Sequence, residues 1–181
     1  MRERYEPWLW TLALMALAGV AMLIAGREVF CPCGTIRLAS AAAETAEVSQ
    51  QLTDWYTPSH LVHGLLLYGA LWWVLPRLAA GWRMVWAVAV EAVWEVAENT
   101  DATIAAFRAH AAELGAVGDT VLNAQGDILA MIAGFWLARW LPVWASAVLV
   151  VALELLAYWA IRDGLVLIVL KRILPAGLPG G

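Results

Sequence analysis

Apolar residues along this chain fall into long runs parted by short polar stretches. The first run, Trp8 to Ala25, follows Arg2 and Arg4. Runs of about 17 to 25 mostly apolar residues can cross a hydrocarbon core as helices. The pattern predicts five spans, at 8–25, 59–75, 82–98, 123–141 and 143–161. Pro76 and Arg77 close the second, Pro142 the fourth, and Arg162 with Asp163 the fifth. The stretch 164–174 is apolar but short, and its Lys171 and Arg172 suit an interfacial or re-entrant helix. The first run has the basic start of a signal peptide. Its apolar core is long for one and no small-x-small site follows, so it reads as a membrane anchor. The expected fold is all-α: one transmembrane domain over 1–181, a polytopic bundle of about five membrane helices with short interfacial helices.

The loops add detail. With five spans, Arg2, Arg4, Arg77, Arg83 and Arg139 fall on one side, mostly in short loops. The positive-inside rule then puts the N-terminus in the cytoplasm, with the two long loops on the outer side. In those loops, "SAAAETAEVSQQL" (40–52) is rich in helix formers and suggests a short surface helix. "DATIAAFRAHAAELG" (101–115) begins on a capping Asp101 and ends on Gly115, with Ile104, Phe107, Ala111 and Leu114 on one face.

Composition strengthens the membrane reading. The chain has 181 residues, 63% hydrophobic and 14% charged, and 12 tryptophans, with a mean hydropathy of +0.73. Tryptophan favours membrane–water interfaces. A net charge of -4 excludes a basic nucleic-acid surface.

The polar residues inside the spans are patterned. Glu91, Glu95 and Glu98 stand at i, i+4 and i+7 at the end of the third span, beside Asn99. His60 and His63 open the second span, and Asp119, Asn123 and Asp127 open the fourth. Each set shares a helical face, and all three fall in the same half of the bundle. A charge near a bilayer centre costs roughly 2.5 to 3.5 kcal/mol on the insertion scale. Converging faces lower that cost, so the spacing predicts one inward-facing pocket open to the outer side.

Carboxylates with histidines suit a divalent cation such as Zn, Mn or Fe. Such an ion activates water or polarises a phosphoryl group. The candidate ligands and proton carriers are His60, His63, Glu95, Glu98, Asp119 and Asp127, with Asn99 and Asn123 orienting them. On this reading the protein is a metal-assisted hydrolase or transferase acting on a lipid or envelope precursor. Trp55, Tyr56 and the helix around Phe107 would guide a headgroup. Two other readings stand beside it. Polar side chains also glue membrane helices, which fits an accessory subunit or assembly factor of a larger membrane complex. Glu91 and Glu95 could also begin a proton or ion path. Glu154, in the fifth span, either joins the cluster or pairs with a neighbour such as Tyr158.

"CPCG", residues 31–34, follows the first span. An oxidising compartment favours a Cys31–Cys33 disulfide; metal or redox work and free thiols are the alternatives. Thr57 is a candidate cap before Pro58 in "DWYTPSH".

The pieces "CPCG", "DWYTPSHLVHG" (54–64), "EAVWEVAEN" (91–99), "GDTVLN" (118–123) and Asp127 resemble, in order and spacing, an uncharacterised family of small bacterial inner-membrane proteins, a domain of unknown function. The family pattern favours serine where this chain has Thr120 and Ala124. The layout is also distantly similar to VanZ-like membrane proteins: a histidine opening one span, a glutamate pair closing the next, then an aspartate and asparagine opening a third. The lysine expected near that histidine is absent. The resemblance implies a membrane protein with these site residues and no established reaction.

Overall fold

Each long apolar run folds as a helix. The computed structural model describes residues 2–41, 47–108 and 117–173. Among them the helices are α1 (Arg2–Ile24), α2 (Thr57–Val74), α3 (Ala80–Glu98), α4 (Asp101–Arg108), α5 (Val121–Trp140), α6 (Val143–Ile161) and α7 (Leu165–Ile173), with no strand. The three central spans start about two residues earlier than hydropathy suggests, at Thr57, Ala80 and Val121. Asp54 caps α2: its Oδ1 accepts from the backbone N–H of Tyr56 (2.7 Å) and Thr57 (3.2 Å). Thr57 therefore lies inside the helix and is not its cap. Thr120 caps α5, its hydroxyl accepting from Asn123 N–H at 3.2 Å.

Among the described residues, three helices are long and apolar enough to cross a membrane: Tyr5–Ile24, Val121–Trp140 and Val143–Ile161. The other two long helices carry the site. His60 and His63 dilute the apolar run of α2, and Arg83, Glu91, Glu95 and Glu98 that of α3. Most of those side chains turn inward, while Leu66, Trp72 and Trp73 of α2 and Trp86, Val90 and Val93 of α3 are exposed. Exposed apolar faces on so many helices mark a membrane or protein-interaction surface.

The main packing is α5 against α2, and α1 against α3, with α6 on the outside of α2. Ala18, Met84, Ala87, Val88, Ile128, Met131 and Phe135 form the apolar core. Helices α2 and α5 meet backbone to backbone. A Cβ on Gly64 would collide with the carbonyl oxygen of Met131, and one on Gly134 with that of Leu61. Without a hydrophobic drive between helices, close approach through small residues is how membrane helices gain dispersion contacts.

The start of α2 and α5 and the end of α3 share one end of the bundle, here called the site end. Trp72, Trp73, Trp140 and Trp144 stand exposed at the other, as an aromatic belt would.

One loop expectation changes. Residues 47–49 form a turn, and the described part of 40–52 carries no helix. Instead Ser40 N–H donates to Thr53 O (2.9 Å) and Leu52 N–H to Arg37 O (3.3 Å), tying the loop to itself. The surface helix is present as α4; its expected continuation through Ala111, Leu114 and Gly115 lies outside the described residues, as does the side chain of Phe107. Glu154 joins neither the cluster nor Tyr158. It accepts from the backbone N–H of Leu165 (3.3 Å) and Val166 (3.0 Å), so it holds the first turn of α7 against α6.

Candidate functional site

The predicted faces converge, and the residues divide into two groups. The first lies at the centre. His60 is 5% exposed, Glu91 1%, Glu95 0% and Asp127 3%. His60 Nδ1 stands 2.6 Å from Glu91 Oε1 and 3.2 Å from Glu95 Oε1, and its Nε2 is 3.8 Å from Asp127 Oδ2. His63 Nδ1 sits 2.9 Å from Glu91 Oε2 and 3.1 Å from Oε1. Glu91 thus lies between two imidazoles. With a proton on each Nδ1, both rings donate to one carboxylate. Thr57 donates its hydroxyl to Asp127 Oδ1 at 3.0 Å, and that hydroxyl accepts from Asp54 N–H, also at 3.0 Å.

Glu95 differs from these neighbours. Both of its carboxylate oxygens are buried without a hydrogen-bond partner. Its approach to His60 is close, but the geometry is not that of a hydrogen bond. A buried carboxylate left so is costly, by about 1–3 kcal/mol or more for a charged group.

The second group ties the loops down. Asn99 Nδ2 donates to Asp119 Oδ2 (2.6 Å) and to Glu95 O (3.0 Å), while its Oδ1 accepts from Asp119 N–H (2.7 Å). Asn123 Nδ2 donates to Gln51 O at 2.8 Å, and Gln50 Nε2 to Gly118 O at 2.7 Å. The chain turns at Gly118 with φ +85°, where a Cβ would meet Ile104 Cδ1 at 2.6 Å. Only glycine fits such a turn without strain. Asn99, Asp119 and Asn123 thus pack the mouth of the cluster. Glu98 is half-buried and belongs to neither set of residues, among those described, that could hold an ion.

Those two sets are His60, Glu95 and Asp127, and His60, His63 and Glu91. In each, one ligand atom per residue lies within 4.8 Å of the others. In the first, Glu91 occupies Nδ1 of His60 and leaves Nε2 toward Asp127. A metal-ligating histidine commonly gives its other N–H to a carboxylate in this way.

Sequence reasoning missed Asp54, Thr57, Gln50 and Gln51. The glutamines are 2% and 0% exposed but lie in a loop, where no helical period marks a buried face.

Cys31 and Cys33 form a disulfide. Cys33 Sγ lies 3.5 Å from Gln51 Nε2, which donates to it.

Residues 22–178 match a family described as "Protein of unknown function (DUF2585)". The chain belongs to this family. The DUF2585 match encloses every motif quoted above. Its similar proteins are bacterial. A "UPF0314 protein" of Paracoccus denitrificans is 48% identical over 173 residues, covering 96% of this chain and 90% of its own length. One from Sphingopyxis alaskensis is 39% identical over 93% of this chain and 89% of its own. One from Novosphingobium aromaticivorans is 42% identical over 89% and 84%. No solved structure matches the chain.

Asp119 lies outside the helices. Burial pushes its carboxyl above the usual carboxylate range, and the Asn99 hydrogen bond opposes that only in part. A carboxyl with a raised folded-state pKa holds its proton more tightly folded than unfolded. Its contribution is therefore intact at low pH and is lost as pH rises through the raised value. Asp119→Asn keeps an oxygen to accept from Asn99 and removes the titration. We expect it to flatten that part of the pH–stability curve, measured by thermal unfolding in detergent from acid to neutral pH.

Proposed function

We propose that this protein holds a divalent cation inside its bundle, on His60, Glu95 and Asp127, and uses it in metal-assisted hydrolysis or group transfer on a lipid or envelope precursor. The observation that carries the reading is Glu95, whose two oxygens are fully buried without a hydrogen bond. They belong to a carboxylate-rich cluster containing a histidine. Three acids (Glu91, Glu95, Asp127) face two imidazoles, and no lysine or arginine pairs with them among the described residues. A cation both balances the charge and supplies the partner Glu95 lacks. Bond lengths of about 2.0–2.2 Å to nitrogen and oxygen suit ligand atoms this close. One histidine with two carboxylates favours Zn, Mn or Fe. His60 would ligate through Nε2 with Glu91 fixing its tautomer, and Thr57 would orient Asp127.

The same reading places α2 and α3 in the inner membrane with α1, α5 and α6, and turns the site end to the periplasm. The Cys31–Cys33 disulfide lies at that end, as expected of an oxidising compartment.

The packing reading accounts for Asn99, Asp119 and Asn123, which hydrogen-bond neighbouring loops and backbone. It gives Glu95 no role. An ion path is disfavoured by what lies beyond the cluster: Met84, Val88, Ile128, Met131 and Phe135 are all fully buried there.

The test pairs metal content with lipid composition. Wild-type protein purified without chelator should carry a stoichiometric divalent ion, and Glu95→Gln should carry none while keeping its helical content. Cells making only Glu95→Gln should accumulate the same lipid species as cells lacking the protein. A metal-free wild type, or a Glu95→Gln protein with unchanged metal, would remove the metal reading. A wild-type lipid profile in Glu95→Gln cells would remove the reaction.

A further inference from the structure

Beside the cluster, α2 and α3 part to leave a cleft of about 200 Å³, lined by His63, Leu66, Leu67, Val90, Glu91 and Trp94. Its two ends differ. Toward the site end stand His63 and Glu91, hydrogen-bonded to each other, with Trp94 edge-on to the His63 ring at 5.2 Å between centroids. Away from the site end the walls are Leu66, Leu67 and Val90. The cleft is not sealed: Leu66 is 51% and Val90 49% exposed. These two residues continue into the exposed apolar faces of α2 and α3, so the cleft opens sideways onto the surface that faces lipid.

Both hydrogen bonds of His63 run through Nδ1, to the two oxygens of Glu91. That leaves Nε2 as the ring atom available to a ligand. The cleft therefore has His63 and Glu91 toward the site end and a hydrocarbon wall beyond them. An amphiphile lying in a leaflet has the same order, a polar linkage above and a chain beneath. A soluble polar substrate would gain nothing from Leu66, Leu67 and Val90, and a partner helix would be too wide for a space of this size.

We propose that this cleft receives one hydrocarbon chain of a membrane lipid and sets the lipid's polar linkage against Nε2 of His63, beside the His60–Glu95–Asp127 cluster. The proposal rests on the reading above and gives its substrate class: a lipid that enters sideways from the bilayer. His63 is then a substrate-contacting residue held in place by Glu91, and Trp94 fixes the tilt of its ring.

The test uses the whole chain in vesicles of phosphatidylethanolamine and phosphatidylglycerol, with a phosphatidylethanolamine probe carrying a diazirine in one acyl chain. After irradiation, the peptides holding Leu66–Leu67 and Val90–Trp94 should be labelled several-fold more than the lipid-facing α6 peptide around Leu155. The excess should saturate with probe. Val90→Trp, which fills the cleft from α3, should remove the excess and leave α6 labelling unchanged. Leu67→Phe fills it from α2 and serves if Val90→Trp does not fold. Equal labelling of α2–α3 and α6, or an excess that survives both folded variants, overturns the proposal. Wild-type metal content, measured on the same samples, separates the two claims. Bound metal without cleft labelling removes only the lipid site, whereas cleft labelling without metal removes only the cation.

Discussion

Gly64→Ala is expected to destabilise the bundle strongly. The added Cβ would fall on the carbonyl oxygen of Met131, close also to Phe135 N and Gly134 C. All three are backbone atoms of α5, so no side chain can rotate away. Relief requires α2 and α5 to separate, and that separation removes the contacts of Val62, Leu65, Met131 and Phe135, all buried. Overpacking of a core typically costs about 1–3 kcal/mol, and a collision with backbone sits at or above the upper end. Gly69→Ala is the control, because a Cβ there meets nothing within 4 Å. Denaturation in SDS should show a loss of about 3 kcal/mol for Gly64→Ala and almost none for Gly69→Ala. Equal stability of the two would mean that α2 and α5 are not in backbone contact. The change should also disturb the site, since α2 carries the histidines and α5 carries Asp127.

His60→Ala is expected to have the second large effect, on stability and metal together. It removes the one residue that approaches Glu91, Glu95 and Asp127 at once. Three buried carboxylates would keep only His63 and Thr57 as side-chain partners. Removing one partner of a buried ion pair costs roughly 3–5 kcal/mol, because the remaining charge stays buried and uncompensated. The variant should bind no cation and unfold earlier. Adding Glu95→Gln should recover part of the stability by removing one of the stranded charges, without recovering metal. A double variant no more stable than His60→Ala would show that Glu95 is not energetically coupled to His60.

How far the site could be read in advance depended on the element. The glutamates at 91 and 95 and the histidines at 60 and 63 were legible, because helical spacing puts such pairs on one face and a bilayer penalises any other arrangement. The division of labour was not. His63 turned to Glu91, while His60 reached Glu95 and Asp127, and the choice depends on the rotation of α2 against α3. That rotation is a tertiary fact. Asp119, Asn99 and Asn123 carry the same donors and acceptors whether they hold an ion or a loop, so their role at the mouth needed coordinates. Glu154 shows the same limit, since its partners are backbone N–H groups of a helix that folds back beyond Gly164. The start of α2 was read late by two residues because it opens on Thr57 and Pro58, which hydropathy alone does not count as span.

The most direct measurement is X-ray absorption at the metal edge of the wild-type protein loaded with zinc. The account expects a nitrogen and oxygen shell at about 2.0–2.2 Å with the outer scattering of an imidazole, and no sulfur; that imidazole signal should vanish in His60→Ala. A shell with sulfur at about 2.3 Å, or a spectrum indistinguishable from hydrated zinc, would contradict a cation held by His60, Glu95 and Asp127.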